Sequence, residues 1–183
     1  MSSIKIHAAI LTLFGCGKSK YAPGTVGSFA TILIWLGFSY LFFLEGVPLW
    51  VETMIWALAS VAMFYYGIFA VPIYSKSLND EDHPSIVLDE VLGQVVALAL
   101  IYPFVKSYYF LDVESGGNLV VASSHITFCF LGFRLLDILK PSIIGKIDRN
   151  VKGGFGVMLD DLVCGLFVGG LGVIFFLILK CFN

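Results

Sequence analysis

The sequence predicts an all-α fold, a helical membrane bundle of about five apolar helices with a polar site at the cytoplasmic face. Three observations predict it. Hydrophobic residues fill 58% of the 183 positions and charged residues only 13%, where a soluble domain carries about 25% charged residues. Mean hydropathy is +0.93. Uncharged stretches recur along the chain, and a helix rising about 1.5 Å per residue needs roughly 20 of them to cross a bilayer. The length suits one domain, residues 1–183. So little charge excludes a water-soluble globule, and so much apolar sequence excludes disorder. A net charge of −2 offers nucleic acid no basic field.

The apolar run Ala8 to Phe14 is short, has Lys5 as its only positive flank, and places bulky Phe14 where a cleavage site wants small residues. No cleaved signal is expected. Residues 28–44 form the first span, extending an uncharged stretch from Tyr21. Glu45-Gly46-Val47-Pro48 reads as a tight turn. The second span is 53–73, followed by a polar segment from Ser75 to Glu90. The third, 91–105, is short and carries Pro103; a polar loop from Lys106 to Asn118 follows. The fourth, 119–133, is softened by Ser123, Ser124, His125 and Thr127. Lys140-Pro141 ends that helix, because proline cannot continue it. A third polar loop reaches Asp161, and the last helix covers Leu162 to Leu179. The two weaker spans, third and fourth, are expected to be tilted or sheltered within the bundle. Gly165 and Gly169 have the spacing for close helix contact, and His125 reads as an interhelical hydrogen-bonding residue. Cys16, Cys129, Cys164 and Cys181 form no CxxC pair and read as free or packed thiols.

Basic residues set the orientation. Lys5, Lys18, Lys20, Lys76, Lys140, Lys146, Arg149 and Lys152 fall on one side, with Arg134 at its edge; Lys106 and Lys180 fall on the other. The positive-inside rule puts the first side in the cytoplasm.

Three segments on that side hold the chemistry: 14–28, 80–90 and 134–161. Asp89 and Glu90 stand where one loop enters an apolar helix, Asp160 and Asp161 where another does, and Asp137 lies a turn before the end of the fourth helix. Either acid pair alone reads as a partner of a helix macrodipole. Two pairs plus an acid in apolar surroundings would repel one another, and ionisable groups at membrane depth need a partner. An oxygen-only ligand set suits a hard ion such as Mg²⁺. Arg134, Lys140 and Arg149 have the charge to meet a phosphate. Thr25 and Ser28 precede an apolar helix whose N-terminus suits an anion, although an ordinary N-cap explains them equally. Lys152 reads as readily as a membrane anchor. His83 is open to a general-acid role but reads first as a loop histidine without one.

Other chemistries fail on spacing. Thr12 stands where a P-loop ending Gly17-Lys18-Ser19 needs glycine, and Lys20 breaks GxGxxG. No arginine stands six residues after Cys16, Cys129 or Cys164, and no DxDxT pattern is present. Metal-assisted attack of water on phosphorus is the reading left.

FGCGKSKYAPGTVGS (14–28), HPSIVLDEVLG (83–93) and FRLLDILKPSIIGKIDRNVKGGFGVMLDDLVCG (133–165) together resemble the phosphatidylglycerophosphatase A family, in order and in spacing, over about a third of the chain. Two departures are small. Ser142 follows Lys140-Pro141 where an aromatic is common, and the 15–20 loop is more basic than usual. The resemblance implies a multi-pass, Mg²⁺-dependent phosphatase of the bacterial inner membrane. It implies hydrolysis of the phospholipid phosphatidylglycerophosphate to phosphatidylglycerol and inorganic phosphate, the last step of phosphatidylglycerol synthesis. It also implies an all-helical fold. On this reading Asp89, Glu90, Asp137, Asp160 and Asp161 form the Mg²⁺ site, with Asp89, Asp137 and Asp161 catalytic. Thr25, Ser28, Arg134, Lys140, Arg149 and the glycine backbones at 15–17 and 153–156 then hold the head group. The alternatives are a metal-dependent phosphatase for another membrane phosphate ester and a non-enzymatic divalent-cation-binding membrane protein.

Overall fold

A computed structural model describes residues 2–79, 83–106 and 119–182. The acidic run Asp80-Glu81-Asp82 and the loop positions 107–118 lie outside the described residues. Among those described, every regular element is helical: α1 (Ser2–Leu11), a 3₁₀ segment (Leu13–Lys18), α2 (Pro23–Leu44), α3 (Leu49–Leu78), α4 (Leu88–Val105), α5 (Leu119–Leu139), α6 (Ser142–Asn150) and α7 (Gly153–Phe182). Five of them, α2, α3, α4, α5 and α7, are long and apolar enough to cross a membrane. The protein is an all-α membrane bundle.

The helices run longer than the apolar stretches alone suggest. α2 begins at Pro23, where a missing N–H is harmless and φ is already helical. α3 runs through Pro72 to Leu78. The largest correction concerns α7. It begins at Gly153, not Leu162, so Asp160 and Asp161 sit two turns inside a helix rather than at its mouth. They are not partners of its N-terminal dipole. The glycines of 153–156 look like loop residues, but Gly153 supplies a positive φ of 72° at the helix start, and Gly154 and Gly156 serve close approach. A Cβ on Gly154 would lie 2.6 Å from the Ile68 carbonyl oxygen of α3, and one on Gly156 would lie 2.1 Å from that of Val151. The polar stretch after Lys140 also holds a short helix, α6, which the apolar pattern does not reveal.

α4 is the central helix: 67% of its span is buried, against 22–33% for the other four. Shelter within the bundle therefore describes α4 but not α5, whose Leu131, Leu135 and Ile138 are exposed. Ser123 on α5 satisfies its hydroxyl on the Val120 carbonyl of its own helix, 3.1 Å away, which lets it face outward. Trp35 of α2 is fully buried and meets the Tyr102 ring of α4 edge-on at 4.8 Å. His125 is buried, stands against the Trp35 ring at 6.1 Å, and hydrogen-bonds the Leu98 backbone of α4, the interhelical role expected of it. Phe29, Leu33, Leu58, Phe69, Leu171 and Phe175 are exposed. A belt of that kind belongs in lipid. All four cysteines are free.

The Gly165 spacing is used. A Cβ there would lie 2.3 Å from the Gly93 carbonyl oxygen, and one on Gly93 would lie 2.6 Å from the Asp161 carbonyl oxygen. α4 and α7 therefore touch backbone to backbone, one turn below their acidic residues.

Candidate active site

The starts of α2, α4 and α7, the ends of α5 and α6, and the 83–86 turn enclose a cavity of about 410 Å³. Its floor follows from the α4–α7 contact. Asp89 and Glu90 lie in the first turn of α4, and Asp161 projects from the facing turn of α7. One carboxylate oxygen from each lies within 4.8 Å of the others. Asp161 is only 3% exposed. Asp89 Oδ1 and Glu90 Oε2 are buried without a hydrogen-bond partner.

Gly24, in the first turn of α2, makes room for this floor. A Cβ there would stand 2.1 Å from Glu90 Oε1 and 3.1 Å from an Arg134 guanidinium nitrogen. Glycine is required here for space, not for its φ.

Two bases complete the walls, each already held by an acid. An Arg134 guanidinium nitrogen lies 2.6 Å from Asp137 Oδ2, one turn along α5, and 3.8 Å from Glu90 Oε1. Lys140 follows α5 in the left-handed backbone region, φ 42°. Its ammonium donates to Asp148 and, at 2.8 Å, to Asp160 Oδ2. The Asp161 N–H donates to Asp160 Oδ1 at 3.1 Å. Partial burial works against the Lys140 charge, but its hydrogen bonds to Asp148 and Asp160 and their negative charge outweigh it and hold its pKa above the usual lysine value.

Of the residues singled out in the sequence, Asp89, Glu90, Arg134, Asp137, Lys140, Asp160 and Asp161 all line this cavity. Thr25, Ser28 and Arg149 do not. Ser28 lies a turn deeper than Gly24 and is fully buried, its hydroxyl without a partner. Arg149 is exposed on α6. Gly153 and Gly156 line the cavity, but Gly17 does not. A Cβ on Gly17 would meet the Ser85 carbonyl oxygen at 2.2 Å, so this glycine packs against the 83–86 turn. The structure adds Gly24 and Asp148 to the lining. It also brings in His83, which the sequence reads first as a loop histidine, and Lys152, which it reads as readily as a membrane anchor. Asp148 was visible only as one more polar residue of a loop, because nothing in the sequence pairs it with Lys140.

Six carboxylates and three basic side chains line the cavity. Such an excess of buried negative charge calls for a cation. Clustered oxygens with two buried atoms unpartnered are a donor set that fits a hard divalent ion, and among the described residues Asp89, Glu90 and Asp161 are grouped closely enough to hold one.

A family profile described as "Phosphatidylglycerophosphatase A" matches residues 9–176. The chain is 30% identical over 158 residues to Phosphatidylglycerophosphatase A of Escherichia coli (strain K12), covering 86% of this chain and 76% of the relative. It is 32% identical over 158 residues to a Bacteroides thetaiotaomicron protein named "Putative phosphatidylinositol-3-phosphatase", covering 85% and 84%. It is 30% identical over 154 residues to Phosphatidylglycerophosphatase A of Haemophilus influenzae, covering 84% and 78%. No solved structure matches the chain. Matched by the profile from the 3₁₀ segment's approach to the last turns of α7, the chain belongs to the phosphatidylglycerophosphatase A family of phosphatases.

Proposed function

We propose that the chain hydrolyses the terminal phosphate of phosphatidylglycerophosphate in a Mg²⁺-dependent reaction, at the cytoplasmic face of a bacterial inner membrane. The products are phosphatidylglycerol and inorganic phosphate. The observation that carries this reading is the meeting of three carboxylates, Asp89, Glu90 and Asp161, with Arg134 and Lys140 in one cavity at the end of a membrane bundle. The named activity of the relatives from Escherichia coli and Haemophilus influenzae supports the substrate.

In this reading Asp89, Glu90 and Asp161 hold Mg²⁺. When bound, the ion supplies Lewis-acid polarisation of a phosphoryl oxygen and a more acidic water. Arg134 and Lys140 stand beside those carboxylates and meet charge developing on the phosphate oxygens. Asp137 and Asp160 keep these two bases fixed, so little reorganisation is needed as charge moves. Water oxygen bonds to phosphorus and the bond to the glycerol oxygen breaks. A carboxylate of the floor accepts the water's proton, and the glycerol oxygen takes one from solvent. The acyl chains stay in the bilayer. The basic residues gathered at the cavity end favour a cytoplasmic placement.

The Bacteroides relative's name favours a second reading, in which the phosphate ester is on an inositol lipid. One experiment separates them. Phosphate release by detergent-purified protein is measured with phosphatidylglycerophosphate, phosphatidylinositol 3-phosphate and phosphatidate, each with Mg²⁺ and with chelator. Mg²⁺-dependent release from the first lipid is expected. Release from another lipid alone rejects the substrate. Release that survives the chelator rejects the metal.

A further inference from the structure

We infer that His83 contacts the substrate, its Nε2–H donating a hydrogen bond to the phosphate-bearing head group. The inference rests on the reading of this cavity as a phosphatase site and adds a residue to it. His83 lies on the 83–86 turn, which is closed by the Ile86 N–H donating to the His83 carbonyl at 2.9 Å and tied to α1 by the Val87 N–H donating to the Leu11 carbonyl at 2.9 Å. The ring is thus mounted on a pinned turn. It lines the acid cavity and also the neighbouring hollow that holds Lys18 and Ser19.

The hydrogen bonds fix the tautomer. The Ser85 backbone N–H donates to His83 Nδ1 at 3.1 Å, and Ser85 Oγ lies 2.8 Å from the same nitrogen. A backbone N–H can only donate, so Nδ1 is the acceptor and the proton of a neutral ring sits on Nε2. Nδ1 is engaged by its own turn, so the Nε2 edge of the ring is the one left to meet a ligand in the cavity that His83 lines. That edge carries a donor, not a lone pair. It therefore suits an oxygen of a phosphate ester or polyol, and not a metal ion.

Two substitutions divide the roles of the ring. Asn places an acceptor where Nδ1 sits but does not reach the cavity; Gln carries an amide N–H to the Nε2 position but leaves the turn unsupported. With phosphatidylglycerophosphate in detergent micelles and Mg²⁺, His83→Gln should retain kcat/KM within about threefold. His83→Asn and His83→Ala should each lose roughly tenfold to a hundredfold, as for a hydrogen bond to a charged partner. Activity kept in Asn and lost in Gln would assign the ring to the turn and overturn the inference. So would wild-type activity in all three, or equal loss in all three.

If the wild type spares this lipid but cleaves another phosphate ester, the same ratios are read on that ester. A wrong substrate and a wrong role for His83 then give different results. Ring-nitrogen NMR of histidine-labelled wild type, with His83 assigned by its loss in His83→Gln, needs no turnover. An Nε2–H tautomer whose signal moves on adding inorganic phosphate is expected. An Nδ1–H tautomer, or no movement, refutes the contact.

Discussion

Asp89 and Asp161 reach one another from different helices, and both should be indispensable. Asp89→Asn and Asp161→Asn each keep the shape of the side chain and remove a charge from the cluster, so turnover should vanish while the protein stays folded and inserted. Full activity in both, by phosphate release, would remove these acids from the site. Gly24 offers a finer test. A methyl group there would stand 2.1 Å from Glu90 Oε1, so Gly24→Ala must push the Glu90 carboxylate off the floor. A drop of at least tenfold in kcat/KM is expected, with a melting temperature close to wild type because the strain falls on a side-chain end rather than on backbone. The bases have a pH signature. Because the folded protein raises the Lys140 pKa, the stability contributed by its bonds to Asp148 and Asp160 is complete below the ordinary lysine value and is lost as pH rises through the folded one. Melting temperature in detergent should then lose no Lys140 contribution through the neutral range, and Lys140→Met should narrow its difference from wild type only in strongly alkaline solution.

At the scale of elements, the backbone contact between α4 and α7 sets the spacing of the acids. Gly93 follows Glu90 by one turn and Gly165 follows Asp161 by one turn, so anything that parts the glycines parts the carboxylates. Gly165→Ala should cost about 1–3 kcal/mol, the range for overpacking a tight contact, and should reduce Mg²⁺-dependent turnover well beyond its effect on melting. Gly170→Ala is the control. Nothing lies within 4 Å of a Cβ at Gly170, and the change should leave activity intact. Equal behaviour of the two variants would show that the contact does not position the site. This contact also shows what the sequence could reveal. The apolar stretches announced five helices, and ionisable residues in so apolar a chain announced the acids of the site. The pattern hid the helical starts at Pro23 and Gly153, because glycine and proline read as loop when no neighbouring helix is in view. It hid α6 because a short polar helix leaves no apolar stretch. It could not exclude Thr25, Ser28 and Arg149, whose side-chain types suit a phosphate but whose positions place them off the cavity. Nor could it disclose that Asp160 is engaged by Lys140, a matter of which turns face each other, whereas the Arg134–Asp137 pair lies three residues apart on one helix and is within reach of the sequence.

The whole molecule is polarised. The acid cavity is at one end, and about 24 Å along α4, at about 1.5 Å per residue, Lys106 closes the other by an ion pair with Glu52 of α3. Glu52 is fully buried while Lys106 remains 21% exposed. Lys106→Met should therefore strand a buried charge and destabilise by about 3–5 kcal/mol, and adding Glu52→Gln should recover most of it. Phosphate release below the melting point should be unchanged, since the pair is remote from the site. The same polarity makes insertion testable with the native cysteines. Cys181 is exposed in the last turn of α7, at the Lys106 end, while Cys16 is half-buried near the cavity end and Cys129 and Cys164 are buried between them. A membrane-impermeant maleimide added to intact spheroplasts should label Cys181 and spare the other three. In inverted vesicles, Cys16 should become the reactive one and Cys181 should fall silent. The reverse pattern would place the acid cavity outside the cell, away from the cytoplasmic leaflet, and a hydrolase for a lipid phosphate made on that leaflet would then be the wrong reading of the site.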